Sequence, residues 1–230
     1  MDNKVVKFQS LYRGYIYRIK RMPLILYVVQ NYLISQKIKI CKDNDDGRTN
    51  STIDEKTIIK CLCDKFTTRI KVADIRMWYD IKLYDSYFGW LPVNIKTSYM
   101  NSRDNTGNLA MCVYAYTNYD MSLDKIYNNG SMSNILHIKL KNKEYNNKPK
   151  RDYYFIVINK TNTNNIIINS VKGLEQMSSN GNNLPFQICW NNNATYNTKT
   201  IDKCIEIFVN TLKKTKQTWR DKFIHDMHQL

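Results

Sequence analysis

Residues 78–96, WYDIKLYDSYFGWLPVNIK, leave the backbone little choice. Two runs rich in Ile, Leu, Val, Tyr and Trp flank DSYFG, whose Asp, Ser and Gly suit a tight connection. The segment therefore reads as a β-hairpin with strands near 77–84 and 90–98. Side chains alternate across a strand. Tyr79, Ile81 and Leu83 take one face, and Trp78, Asp80, Lys82 and Tyr84 the other. On the second strand Leu91, Val93, Ile95 and Thr97 oppose Pro92, Asn94, Lys96 and Ser98. Aligning the apolar faces brings Asp80, Asn94 and Lys96 to one side of the sheet. A carboxylate and an amide oxygen beside an ammonium form a small site for a hard cation such as Mg2+, which takes oxygen ligands and keeps several waters. The lysine can orient or deprotonate a water held against a phosphate, while the cation offsets the charge of the phosphodiester. The same spacing also suits a solvated hairpin face on which Asp80 pairs with Lys82 or Lys96.

The rest of the chain places this hairpin among helices. Val6, Leu11 and Tyr15 recur at helical spacing in the basic, aromatic segment 3–21, and Pro23 suits the first turn of a second helix, LILYVVQNYLISQKI. KDNDDGRTNS, residues 42–51, reads as a polar loop dividing an N-terminal helical appendage, 1–41, from a main domain, 52–230. Ile53, Ile58, Ile59, Leu62 and Phe66 mark a helix over 52–70, and a further helix is expected from Thr106, with Asp104 and Asn105 as candidate caps. SNILHIKLKN reads as a short helix, RDYYFIVINK and NIIINSV as strands, LPFQICW as a short last strand and the tail as basic amphipathic helix. The order predicts an α/β fold, a central mixed β-sheet flanked by helices.

The 230 residues are 43% hydrophobic and 12% aromatic, which excludes a disordered chain and allows one substantial core. The net charge of +15 attracts polyanions, nucleic acid first and an anionic membrane surface second. Asn is as over-used as Lys, so an AT-rich genome is a competing origin of the charge. Six cysteines form no C-x-x-C pair or regular framework. With no stretch of 18 apolar residues and no signal-like start, the expectation is a reduced, cytoplasmic or intracellular compartment without membrane insertion. His137, His225 and His228 are too scattered to suggest a zinc site.

The hairpin pattern, an acid on one strand and x-x-Lys on the next, resembles the PD-(D/E)XK nuclease core. LPVNIKTS resembles the P-V/I-N-I/L-K segment of type II restriction endonucleases, and RDNTGNLAMCVYAYTN the DN-rich helix start that follows it. DYYFIVINK resembles a late core strand, and GNNLPFQICWNNN the N-x-x-x-Q-x-x-W block near the C-terminus. These blocks keep their order over about 75–195, half of the chain, and look closest to the Hae-two (RGCGCY-cutting) type. The resemblance implies a restriction-endonuclease-like core that cuts double-stranded DNA with Mg2+ and leaves 5′-phosphate ends. It also implies a homodimer on a palindromic site, paired in function with a DNA methyltransferase. Asp80 is then the metal-binding acid and Lys96 the catalytic lysine. Asn94 stands where Asp or Glu is usual, a variant that occurs in this group, so one anion is missing. Glu55 on the preceding helix is the foremost candidate for a second acid, ahead of Asp85 and Asp64. An ordinary glutamate in a first helical turn, favoured by the helix dipole, is the alternative.

Ser98, Arg103, Asp104, Asn105 and Gln187 are the candidate DNA contacts, with Lys148, Lys150 and Arg151 as further basic residues. Trp190 is expected in the core. Phe8, Gln9, Arg13, Gly14 and Arg18 match an IQ-type pattern, Phe/Ile-Gln-x3-Arg-Gly-x3-Arg, which resembles binding sites for calmodulin-like proteins. Such a basic helix can equally contact DNA phosphates or simply pack. Two competing classes remain: a non-catalytic basic DNA-binding protein decayed from a nuclease, and a calmodulin-type adaptor built on the N-terminal helix.

Overall fold

A computed structural model describes residues 22–40, 47–106, 108–148, 150–180 and 186–214. Two β-sheets and five helices form the fold within these residues. The larger sheet has five strands: β1 (Ile70–Val72), β2 (Ile81–Asp85), β3 (Gly89–Ser98), β5 (Tyr154–Asn159) and β6 (Ile166–Ser170), in the order β1-β2-β3-β5-β6. The smaller contains β4 (Arg103–Asn105), β7 (Ser178–Ser179) and β8 (Phe186–Cys189), with β8 in the middle. In the large sheet β3 and β5 run parallel and all other pairs are antiparallel. The architecture is therefore α/β with a mixed central sheet flanked by helices.

Residues pointing to the two faces of the sheet build two cores. Ile81, Leu83, Leu91, Val93 and Ile95 join Tyr154, Ile156 and Ile158 on one face. Helix α1 (Leu24–Ser35) packs there through Ile25, Leu26, Val29 and Leu33, and α2 (Gly47–Phe66) through Ile58 and Leu62. Phe155 and Val157 face the other way. They meet α3 (Leu109–Tyr116), α4 (Asn129–Lys141), α5 (Ile201–Leu212) and the small sheet, around Trp190 and Phe208. Near-continuous burial of β5 (YFIVIN) follows from having apolar layers on both faces.

Several boundaries differ from the sequence reading for physical reasons. Residues 47–51, expected in a loop, already belong to α2. The described part of the 1–41 segment contributes α1 to the core rather than standing apart from it. The first hairpin strand starts at Ile81, and Tyr79 joins Trp78 in the opposite core instead of sharing a face with Ile81. Its ring stacks edge-on against Trp78, with centroids 5.3 Å apart, and its hydroxyl donates to Leu123 O. Asp104 and Asn105 lie in β4 and cap nothing; the cap of α3 is Asn108, whose Oδ1 accepts from Met111 N–H at 2.7 Å.

Candidate functional site

The register of β2 and β3 pairs Ile81 with Val93, which puts Asp80 opposite Asn94. Asp80 lies one residue before β2, yet its backbone N–H still donates to Val93 O at 3.0 Å. Its carboxylate turns onto β3, where Oδ2 accepts from Ile95 N–H at 2.7 Å. Asn94 and Lys96 alternate with the buried Val93 and Ile95, as strand geometry requires. Helix α2 supplies the fourth member. Glu55 comes eight residues after Gly47, beyond the reach of a first-turn dipole effect, and its Oε1 accepts from Lys96 Nζ at 3.2 Å. Asp80, Asn94, Lys96 and Glu55 are thus brought together.

The pairing alternatives are resolved by the other lysines and acids. Lys82 is buried and forms its ion pair with Asp124, not with Asp80. Asp85, one of the weaker candidates for a second acid, is a structural acceptor: Oδ2 takes Ile25 N–H at the start of α1, and Oδ1 takes Tyr87 and Phe88 N–H in the hairpin turn. Asp64 also lies on α2, nine residues beyond Glu55.

Electrostatics mark the cluster. Burial pushes the Glu55 carboxyl above its usual range; Lys96 opposes the rise, while the Asp80 charge adds to it and Lys160 lowers it. Burial likewise raises Asp80, against Lys96 and the Ile95 N–H. Two partly desolvated carboxylates therefore share one site with one contacting ammonium, Lys96, among the described residues. Asn94 carries the third oxygen. Its amide lies against the Tyr153 hydroxyl, which donates to Trp78 O at 3.0 Å. Asn94 Oδ1 is buried and has no hydrogen-bond partner among the described residues. A buried carbonyl oxygen on the strand that carries Lys96, opposite Asp80 in register, suits a hard cation chemically together with the two carboxylates, since all three donors are oxygen. Among the described residues, no group of three His, Cys, Asp or Glu side chains could hold a metal, so the amide is needed to complete a three-oxygen set.

Sequence reasoning missed Lys160. It follows β5 directly, its N–H donates to Ser98 O at 2.9 Å and its Nζ donates to Ser51 Oγ at 2.9 Å. Only the parallel pairing of Ser98 with Asn159 reveals that neighbourhood, because no local spacing in the sequence links the two strands. The candidate DNA contacts divide into two groups. Ser98 is buried, and its Oγ donates to Tyr99 O. Arg151 is buried against the Tyr114 ring and donates to Tyr119 O, and Lys150 donates to Tyr87 O at 2.8 Å, so both hold loops in place. Arg103, Asp104, Asn105 and Gln187 meet on the small sheet. Trp190 is fully buried and donates to Asp104 Oδ2 at 2.8 Å. Phe8, Gln9, Arg13, Gly14 and Arg18 lie outside the described residues.

Comparison with known proteins finds no family model that matches the chain, no matching curated protein and no matching solved structure. No described helix is long and apolar enough to cross a membrane.

Proposed function

We propose that the chain is a Mg2+-dependent, site-specific endonuclease of double-stranded DNA, of the type II restriction class, built on a restriction-endonuclease-like core. The observation that carries this reading is the gathering of Asp80, Lys96 and Glu55 at one stretch of the central sheet, with Asn94 in between along β3 carrying a buried Oδ1 that has no partner among the described residues. Asp80 Oδ1 and Glu55 Oε2, beside Asn94 Oδ1, are the atoms that would hold Mg2+. When bound, the cation offsets the charge of the attacked phosphodiester. Lys96, steadied by Glu55, orients a water in line with the phosphorus. The water oxygen bonds to phosphorus and gives up a proton to solvent, the bond from phosphorus to the 3′ oxygen breaks, and that oxygen takes up a proton from a second water. The products are a 5′-phosphate and a 3′-hydroxyl. The +15 charge favours association with the DNA backbone, and a homodimer acting beside a methyltransferase follows from the same reading. Incubating the purified chain with varied duplex DNA and Mg2+ or Mn2+ tests it: cutting that Lys96→Ala abolishes supports the reading, and an inert wild type defeats it.

A second reading, a DNA-binding protein that does not cut, draws on the missing anion at Asn94 and on the absence, among the described residues, of a three-acid metal group. It predicts steeply salt-dependent binding with no products at any metal concentration.

A further inference from the structure

We propose that the exposed face of the small sheet reads base edges in the major groove, with Arg103, Asn105 and Gln187 as the specificity-determining side chains. This rests on the reading of duplex DNA as the substrate. Alternation along β4 decides what faces outward: Asp104 turns inward to Trp190, so Arg103 and Asn105 point to solvent, and both are exposed. The register places Gln187 opposite Asn105 and Cys189 opposite Arg103 on the same face. The β4–β8 pair, one edge of the three-stranded small sheet, has the two-stranded form that the major groove of B-DNA admits.

The amides on this face are held in one orientation. Asn105 Oδ1 accepts from Gln187 Nε2 at 2.8 Å and from Asn180 Nδ2 at 3.0 Å. With its oxygen engaged twice, Asn105 offers its Nδ2 hydrogens outward. Gln187, with one N–H committed, keeps an acceptor and a second donor. Exposed amides rarely hold fixed positions without a reason, because ordering a long polar side chain costs rotamer entropy. Preorganised donors and acceptors are what direct readout requires, and Arg103 beside them adds the fork that fits paired acceptors on a base edge.

Position supports the same assignment. Arg103 follows Lys96 by seven residues, so the two backbones lie within about 25 Å of each other even in a fully extended chain. That span is the length of about seven base pairs at 3.4 Å per step, so one duplex can meet both. The positive net charge complements it.

Selection from a random duplex pool tests the proposal, using the full chain in Ca2+ so that binding is read without requiring cleavage. The wild type is expected to enrich a defined sequence. Arg103→Ala is expected to flatten preference at one base pair by about 5- to 150-fold while enrichment at the other positions stays. Gln187→Glu, which keeps the shape but replaces the donor to Asn105 Oδ1 by an acceptor and so turns the Asn105 amide over, is expected to change the preferred base at a neighbouring position. Thermal melting of each variant checks that it is folded; Arg103 makes none of the network bonds, so its loss leaves the fold intact. Variants that keep the wild-type preference at every position, or a wild type that enriches none, overturn the inference. Cleavage without any preference would sink the base-reading face and leave the nuclease standing. Selective binding without cleavage would do the reverse.

Discussion

Asn94 sets a buried carbonyl oxygen without a hydrogen-bond partner among the described residues in the middle of β3. An unsatisfied buried acceptor costs about 1–3 kcal/mol. Asn94→Leu removes that cost at similar volume but gives up the contact with the Tyr153 hydroxyl, a neutral hydrogen bond of about 0.5–1.5 kcal/mol. Without metal the variant should therefore lie between about 0.5 kcal/mol below the wild type and about 2.5 kcal/mol above it. For a chain of this size Tm moves by about 2–4 °C per kcal/mol, so the gain in EDTA is at most about 10 °C and any loss at most about 2 °C. Mg2+ should reverse the order. At a hundred times its Kd the ion stabilises the wild type by about 2.7 kcal/mol, or about 5–11 °C, and the variant loses most of that rise. Melting curves by scanning fluorimetry, in EDTA and across a Mg2+ titration, read both effects. If the variant melts several degrees below the wild type in EDTA, or keeps the full Mg2+-dependent rise, Asn94 is not a ligand left waiting for its ion.

Three other outcomes follow from the same geometry. Lys96→Met and Glu55→Gln should show a coupling of about 0.5–3 kcal/mol in a urea-unfolding double-mutant cycle, because the two side chains are only 25% and 22% exposed. Burial raises the Asp80 and Glu55 carboxyls, so the folded chain binds more protons than the unfolded chain between the ordinary carboxylate range and the raised values. Their contribution to metal-free stability therefore falls as pH rises through that window, and the double variant Asp80→Asn, Glu55→Gln should have a shallower slope than the wild type in urea titrations across it. Asp85→Ala removes a buried acceptor for three backbone N–H groups at the α1 start and the hairpin turn. It should cost at least about 2 kcal/mol by urea denaturation and leave Mg2+ affinity unchanged.

The hairpin was legible because strand alternation is a local rule. Asn94 and Lys96 needed only the period of two, and Asp80 followed from register. Tyr79 broke that rule because the chain bends at 78–80, where packing against Trp78 and the bond to Leu123 O outweigh the regular pleat. Glu55 was legible as a residue but not as a neighbour: its helix starts at Gly47, inside a stretch whose Asn, Asp and Gly content signals a loop. Tertiary packing on the sheet overrides that signal. The same Asn- and Asp-rich composition misled at Asp104, which reads as a helix cap but serves as the acceptor for Trp190. Lys160 could not be found without the β3–β5 pairing, since parallel neighbours are distant in sequence. Of the small sheet only β8 was legible, in LPFQICW; β4 and β7 were hidden, being two or three residues long and set in polar loops.

Digestion of a defined duplex with Mg2+, followed by run-off sequencing of the product ends, addresses the nuclease proposal most directly. Fixed cut positions bearing 5′-phosphates, absent in EDTA and with Lys96→Ala, are the expected result. Intact DNA, in conditions where the same preparation binds duplex tightly, would contradict it.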